Sequence, residues 1–201
     1  MFKIDMPINQ NFNNNQHAGI SNTDVQLMRY VKENWGVSTM LDIGCGLGGH
    51  VFSSREEGID SYGVDGTDVL PFDLKMQKVD YRVKSSSFNI DFDLGWSVEF
   101  LEHVENRCSN IYIADFLKCK ILIITAAPPG WGGEGHVNEQ SENYWISFFE
   151  DNGFQYDKVK TLEARKNSFL FDNNTVPRLE RKQFVRNRGL VFIRRNKILI
   201  E

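Results

Sequence analysis

One stretch constrains this chain more than any other: a strand-forming run that ends in closely spaced glycines. Residues 37–44 read VSTMLDIG, and the chain continues Cys45-Gly46-Leu47-Gly48-Gly49. The aliphatic and β-branched residues before the turn favour an extended strand. Glycines at 44, 46 and 48 let the backbone turn sharply and approach a ligand closely, because no Cβ intervenes. The spacing Gly44-x-Gly46-x-x-Gly49 satisfies a nucleotide-binding strand–turn–helix fingerprint. An acid, Asp65, lies near the end of the next strand-like segment, SYGVDG at 61–66. A carboxylate there can accept from both hydroxyls of a ribose.

Beyond this unit, strand-like and helix-like segments alternate. KVDY (78–81) is a weak strand, and FDLGWSV (92–98) a strand followed by the helical pattern EFLEHVENR. KCKILIITAA (118–127) is an apolar run that predicts a fully buried central strand. SENYWISFFEDNG (141–153) predicts a helix capped by Ser141 and closed by Gly153. SNTDVQLMRYVKENWG predicts an earlier helix, with Ser21 as its cap and Gly36 as its stop. FQYDKVKTL and GLVFIRR (189–195) predict two last strands. Such alternation implies an α/β fold, a parallel sheet with helices on both faces.

Composition sets the bounds. At 201 residues the chain has the length of one domain. A polar tract at 9–16, NQNFNNNQ, predicts a flexible arm over residues 1–20. Three scattered cysteines (Cys45, Cys108, Cys119) make neither a disulfide framework nor a zinc cluster. With no signal-peptide pattern and no membrane-length apolar run, the expected location is cytoplasmic, away from any membrane. A net charge of −4 argues against extensive nucleic-acid contact, but the charge is uneven. Residues 160–201 carry eleven Lys and Arg against four acids, leaving −11 on the remainder.

A nicotinamide dinucleotide and S-adenosylmethionine both fit the glycine turn and its acid. Asp42, two residues before the first glycine, favours the second. A carboxylate aimed at the turn repels a pyrophosphate and attracts an ammonium and a sulfonium. LDIGCGLGG, GVDG and FDLGWSVEFLEHV, in that order, also resemble motif I, the acidic strand-two end and the strand-four junction of class I S-adenosylmethionine-dependent methyltransferases. The match spans residues 37–160. It implies a Rossmann-like, seven-stranded, mostly parallel sheet whose last strand, GLVFIRR, is antiparallel.

The resemblance also implies roles. Asp42, Gly44, Cys45 and Gly46 would face the methionine part, and Asp65 the ribose. Gly66 and Thr67 would lie beside the adenine, Asp80 would meet its amino group, and Tyr81 would stack nearby. Trp96 and Ser97 would line the sulfonium.

Glu99, Glu102 and His103 stand at i, i+3 and i+4, which on a helix places them on one face. Two carboxylates and an imidazole suit a divalent cation such as Mg or Mn. His136, in a glycine-rich loop after the central strand, is available as a fourth donor. The pattern resembles metal-dependent O-methyltransferases of small-RNA riboses and of ubiquinone-pathway catechols, where the metal grips adjacent hydroxyls. Without a metal, the Glu-His pair orders its helix and His136 is the general base.

Residues 161–188 carry seven cations against three acids and connect the two last strands. The expectation is a basic lid over the crevice, with Arg178, Arg181/Lys182 and Arg186 at helical spacing facing a phosphate or carboxylate. The resulting expectation is an O-methyltransferase acting on a hydroxyl of a small molecule or sugar, with His136 as base. RNA or protein acceptors, an NAD-dependent oxidoreductase and a catalytically inert nucleotide-binding module are the alternatives.

Overall fold

In the computed structural model, residues 22–172 and 176–195 are described. The predicted arm and Ser21 lie outside them. The first helix, α1 (Val25–Trp35), is capped by Asp24, whose carboxylate accepts from Leu27 N. Gly36 closes it with φ +70°, a left-handed value that suits glycine. Its buried stripe is Leu27, Met28 and Val31.

A seven-stranded sheet is the centre of the molecule. Its strands in chain order are β2 (Thr39–Ile43), β3 (Asp60–Asp65), β4 (Met76–Lys78), β5 (Phe92–Val98), β6 (Cys119–Thr125), β7 (Phe154–Tyr156) and β10 (Leu190–Arg194). Across the sheet they run β4-β3-β2-β5-β6-β10-β7. The first five in that order pair in parallel, while β10 is antiparallel to both β6 and β7. The order reverses between β2 and β5. In open α/β sheets, ligands bind at such a reversal, outside the carboxyl ends of the strands.

Both faces are covered. Leu122 and Ile124 of β6 pack with Tyr112 and Phe116 of α3 (Ser109–Phe116) and Trp145 and Phe149 of α4 (Glu142–Asp151). Ile121 and Ile123, on the alternate face, pack with α1 and with Ala164 and Val185. This two-sided burial explains the unbroken apolar run of β6. Each fully buried Leu, Ile or Phe contributes about 1.5–3 kcal/mol.

Two expectations change here. Only Phe154–Tyr156 of FQYDKVKTL is strand; Lys158–Asn167 forms a helix, α5, capped by Asp157 through Lys160 N. The segment 161–188 packs on the sheet along its apolar side. Ala164, Leu170 and Val185 within it are fully buried against the sheet. β1 (Asn22–Thr23), β8 (Phe171–Asp172) and β9 (Val176–Pro177) form a small separate sheet that ties the segment to the start of α1. Asp24 reinforces the tie by accepting from Ser168 Oγ at 2.5 Å and Phe169 N at 3.2 Å. Burial lifts its carboxyl to about 6. Arg178, Arg181 and Arg186 do not share one helix either: Glu180–Lys182 is a single 3-10 turn, and α6 covers only Phe184–Arg188. Gln183 interrupts the run, turning its side-chain amide to Leu170 and to the Arg178 carbonyl. Among the described residues, no helix is long and apolar enough to cross a membrane.

Candidate functional site

The glycine turn follows β2 directly and leads into α2 (Gly49–Glu56). Gly44, Gly46 and Gly48 have φ of +85°, +54° and +78°. The amides of Gly44 and Cys45 both donate to Val64 O, at 2.9 and 3.1 Å, binding the turn to β3. A Cβ on Gly44 would lie 2.5–2.7 Å from the Phe100 side chain, whereas one on Gly46 would meet nothing within 4 Å. Gly44→Ala is therefore expected to destabilise the fold by about 3 kcal/mol and to lower the melting temperature by roughly 6–12 °C. Gly46→Ala carries only the backbone term of roughly 1–2 kcal/mol. Thermal melts of the two variants test the difference.

Two carboxylates meet at this turn. Asp65, at the end of β3, accepts from Gly46 N through Oδ2 and from Thr67 N through Oδ1, each at 2.8 Å. Asp42, in β2, is 3% exposed, and among the described residues no hydrogen bond reaches its carboxylate. Burial pushes the Asp42 carboxyl well above its ordinary range, and repulsion from Asp65 adds to the effect. Burial also raises Asp65, against the pull of the amides that bind it. Two close acids without a basic partner among the described residues favour a cation and disfavour phosphate. Burial and the same two carboxylates raise the Cys45 thiol, so Cys45 is a small neutral residue here.

Other predicted site residues have different surroundings. Thr67 is buried beside Asp65, and Gly66 sits against the Val79 carbonyl. Asp80 follows β4 in a turn and is held by Arg82, with Nε at 2.8 Å and Nη2 at 2.6 Å. That pairing holds its carboxyl below the usual range. Tyr81 belongs to the core, with its ring edge-on to Phe100 and Tyr112 and its hydroxyl donating to Asp115 at 2.8 Å. Trp96 is buried and stacks on His50 with centroids 4.3 Å apart. Ser97 donates to the Ile43 carbonyl at 3.0 Å, stitching the ends of β2 and β5 together.

The acid–histidine cluster forms without the predicted helix. Glu99 adopts φ +57°, and Leu101–His103 is a 3-10 turn. Glu99 Oε1 takes the Thr125 hydroxyl at 2.8 Å, and Oε2 pairs with Arg188. The Arg188 guanidinium also lies over the rings of Trp131 and Phe184. Glu102 is fully buried; its Oε1 accepts from Ala127 N at 3.2 Å, and its Oε2 is buried without a hydrogen-bond partner among the described residues. Burial, then the Glu99 charge, lifts its carboxyl to about 8. Nδ1 of His103 lies 3.3 Å from the Gly135 carbonyl. The His103 and His136 rings stand edge to face, 4.8 Å apart.

Donor atoms of Glu102, His103 and His136 all lie within 4.8 Å of one another. Three of the four predicted donors thus converge, while Glu99 is drawn aside by Arg188. The orphaned Glu102 oxygen beside two imidazoles is a donor set that fits a divalent cation. The pairing of Arg188 with Glu99 had no local signal in the sequence, because the two are 89 positions apart.

No protein-family model matches the chain, and no curated protein matches it in sequence. Solved structures do. A TehB-like S-adenosylmethionine-dependent methyltransferase from Corynebacterium glutamicum aligns over 92% of this chain and 95% of its own, at 17% identity and a TM-score of 0.56. The sugar N-methyltransferase KedS8 from Streptoalloteichus aligns over 85% of each chain, at 13% identity and 0.54. Magnesium protoporphyrin IX methyltransferase from Synechocystis, solved with S-adenosylmethionine bound, aligns over 94% of this chain and 86% of its own, at 15% identity and 0.53. Sheet order, antiparallel last strand and these likenesses together establish the Rossmann-like fold of class I methyltransferases for this chain.

Proposed function

We propose that the protein is an S-adenosylmethionine-dependent O-methyltransferase acting on a hydroxyl of a small molecule or sugar. The observation that carries the reading is the pair Asp42 and Asp65 at the glycine turn, with Glu102, His103 and His136 gathered beyond the ends of β5 and β6. S-adenosylmethionine supplies a methyl group on a sulfonium that leaves as a neutral thioether. Asp42 favours the cationic donor, and Asp65, fixed by Gly46 N and Thr67 N, keeps lone pairs for ribose hydroxyls. Asp80, anchored by Arg82, is the acid assigned to the adenine amino group.

The acceptor oxygen has to lose a proton as the new bond forms. His136 takes it as general base, or ligates a divalent cation that serves the same end. Such a cation, held by Glu102, His103 and His136, would lower the pKa of a bound hydroxyl. This reading favours acceptors with adjacent hydroxyls. Arg178, Arg181, Lys182 and Arg186 meet no acid in an ion pair among the described residues, and their charge suits an anionic small molecule as acceptor.

Calorimetric titration with S-adenosylhomocysteine and with NAD tests the cofactor reading. Saturable binding of the first and none of the second is expected. Binding of NAD alone would overturn it in favour of an oxidoreductase. Saturable S-adenosylhomocysteine binding without turnover on any hydroxyl acceptor would favour an inert binding module.

A further inference from the structure

Glu139 has no part in the reading above, yet it is the most connected side chain of the glycine-rich loop. Its Oε1 meets His136 Nδ1 at 2.6 Å and also takes Gly132 N at 2.8 Å. Its Oε2 takes Gly130 N at 2.8 Å. Two backbone amides therefore hold the carboxylate in place, and the carboxylate in turn holds the imidazole. Gly130 and Gly132 present these amides with φ of +78° and +72°, values that β-branched residues avoid. At Gly133 a Cβ would collide with the His136 ring, Nε2 included, so this glycine leaves the space in which the imidazole lies.

We propose that Glu139 is the positioning residue for His136: it imposes the Nδ1–H tautomer and thereby leaves the Nε2 lone pair as the atom that takes a proton or a divalent cation. The inference rests on the reading of His136 as base or ligand. The chemistry follows from what each group can do. An ionised carboxylate only accepts, so the ring nitrogen facing it carries the hydrogen. A neutral imidazole has a single N–H, so the other nitrogen holds the lone pair. A hydrogen-bonded carboxylate also fixes the plane of the ring. The same carboxylate also ties Gly130 and Gly132 to His136.

The test compares wild type with Glu139→Gln, Glu139→Ala and His136→Ala. Ring 15N shifts of histidine-labelled protein, at alkaline pH where the ring is neutral, report the tautomer. The expected wild-type signal for His136 is Nδ1–H. In Glu139→Gln the side-chain amide can donate to Nδ1, so the signal is expected to move toward Nε2–H. In Glu139→Ala it is expected to become a mixture. Mn2+ affinity, read by electron paramagnetic resonance, is expected to fall about 10–100-fold in both Glu139 variants. Unchanged S-adenosylhomocysteine binding verifies that each variant is folded.

A wild-type Nε2–H tautomer, or one unmoved by both Glu139 substitutions, would overturn the proposal. Full Mn2+ affinity in His136→Ala would instead overturn the ligand reading of His136. The tautomer measurement still decides the role of Glu139 in that case, and equally where the wild type binds no Mn2+.

Discussion

His136→Ala is expected to reduce methyl transfer to a vicinal-diol acceptor by about 10²–10⁴-fold, the usual contribution of a positioned acid or base. Affinity for S-adenosylhomocysteine should stay within about twofold, because His136 makes no contact with Asp42 or Asp65 among the described residues and a tenfold change would require about 1.4 kcal/mol. The split matters. Loss of turnover with intact cofactor binding places His136 on the acceptor side of the reaction. The measurement is single-turnover kinetics at saturating acceptor, paired with calorimetry. Unchanged turnover would remove His136 from the chemistry. Its contacts with His103 and Glu139 would then be explained by loop packing alone.

Asp65→Ala is the second large effect. Asp65 anchors the turn through Gly46 N and Thr67 N and offers its remaining lone pairs to a ribose. Hydrogen bonds to a charged group contribute about 1.5–3 kcal/mol each, so losing two predicts at least a 100-fold rise in the dissociation constant for S-adenosylhomocysteine. Part of that loss comes from the protein itself, since two amides lose their acceptor. Asp65→Asn separates the contributions. The amide oxygen still accepts from one amide, but the negative charge that opposes Asp42 disappears. Calorimetry on both variants, with thermal melting to follow the fold, distinguishes a lost ligand contact from a loosened turn.

Much of this molecule was legible from local patterns. The strand Phe92–Val98 and the helix capped by Ser141 lie where periodicity and capping put them, because both signals act over a few residues. The glycine turn was legible for the same reason: positive φ at 44, 46 and 48 is a local demand that glycine answers. VKTL reads as an alternating strand, but Asp157 caps a helix there, and the LEARKN run that follows has high helical propensity. EFLEHV reads as a helix, but Glu99 is held by Thr125 and Arg188 at a φ no helix adopts. No window around residue 99 contains Thr125 or Arg188. The acid–histidine cluster was predicted through the wrong local geometry; chain reversal, not helical spacing, gathers Glu102, His103 and His136.

By itself, the sequence determined the α/β architecture, the glycine turn and the two acids beside it, since alternation, turn chemistry and strand-end position are short-range properties. Only the tertiary structure decided that Arg188 draws Glu99 out of the donor set and that the basic segment packs against the sheet. These depend on which distant groups share a desolvated space, where pairing and burial energies exceed any local preference.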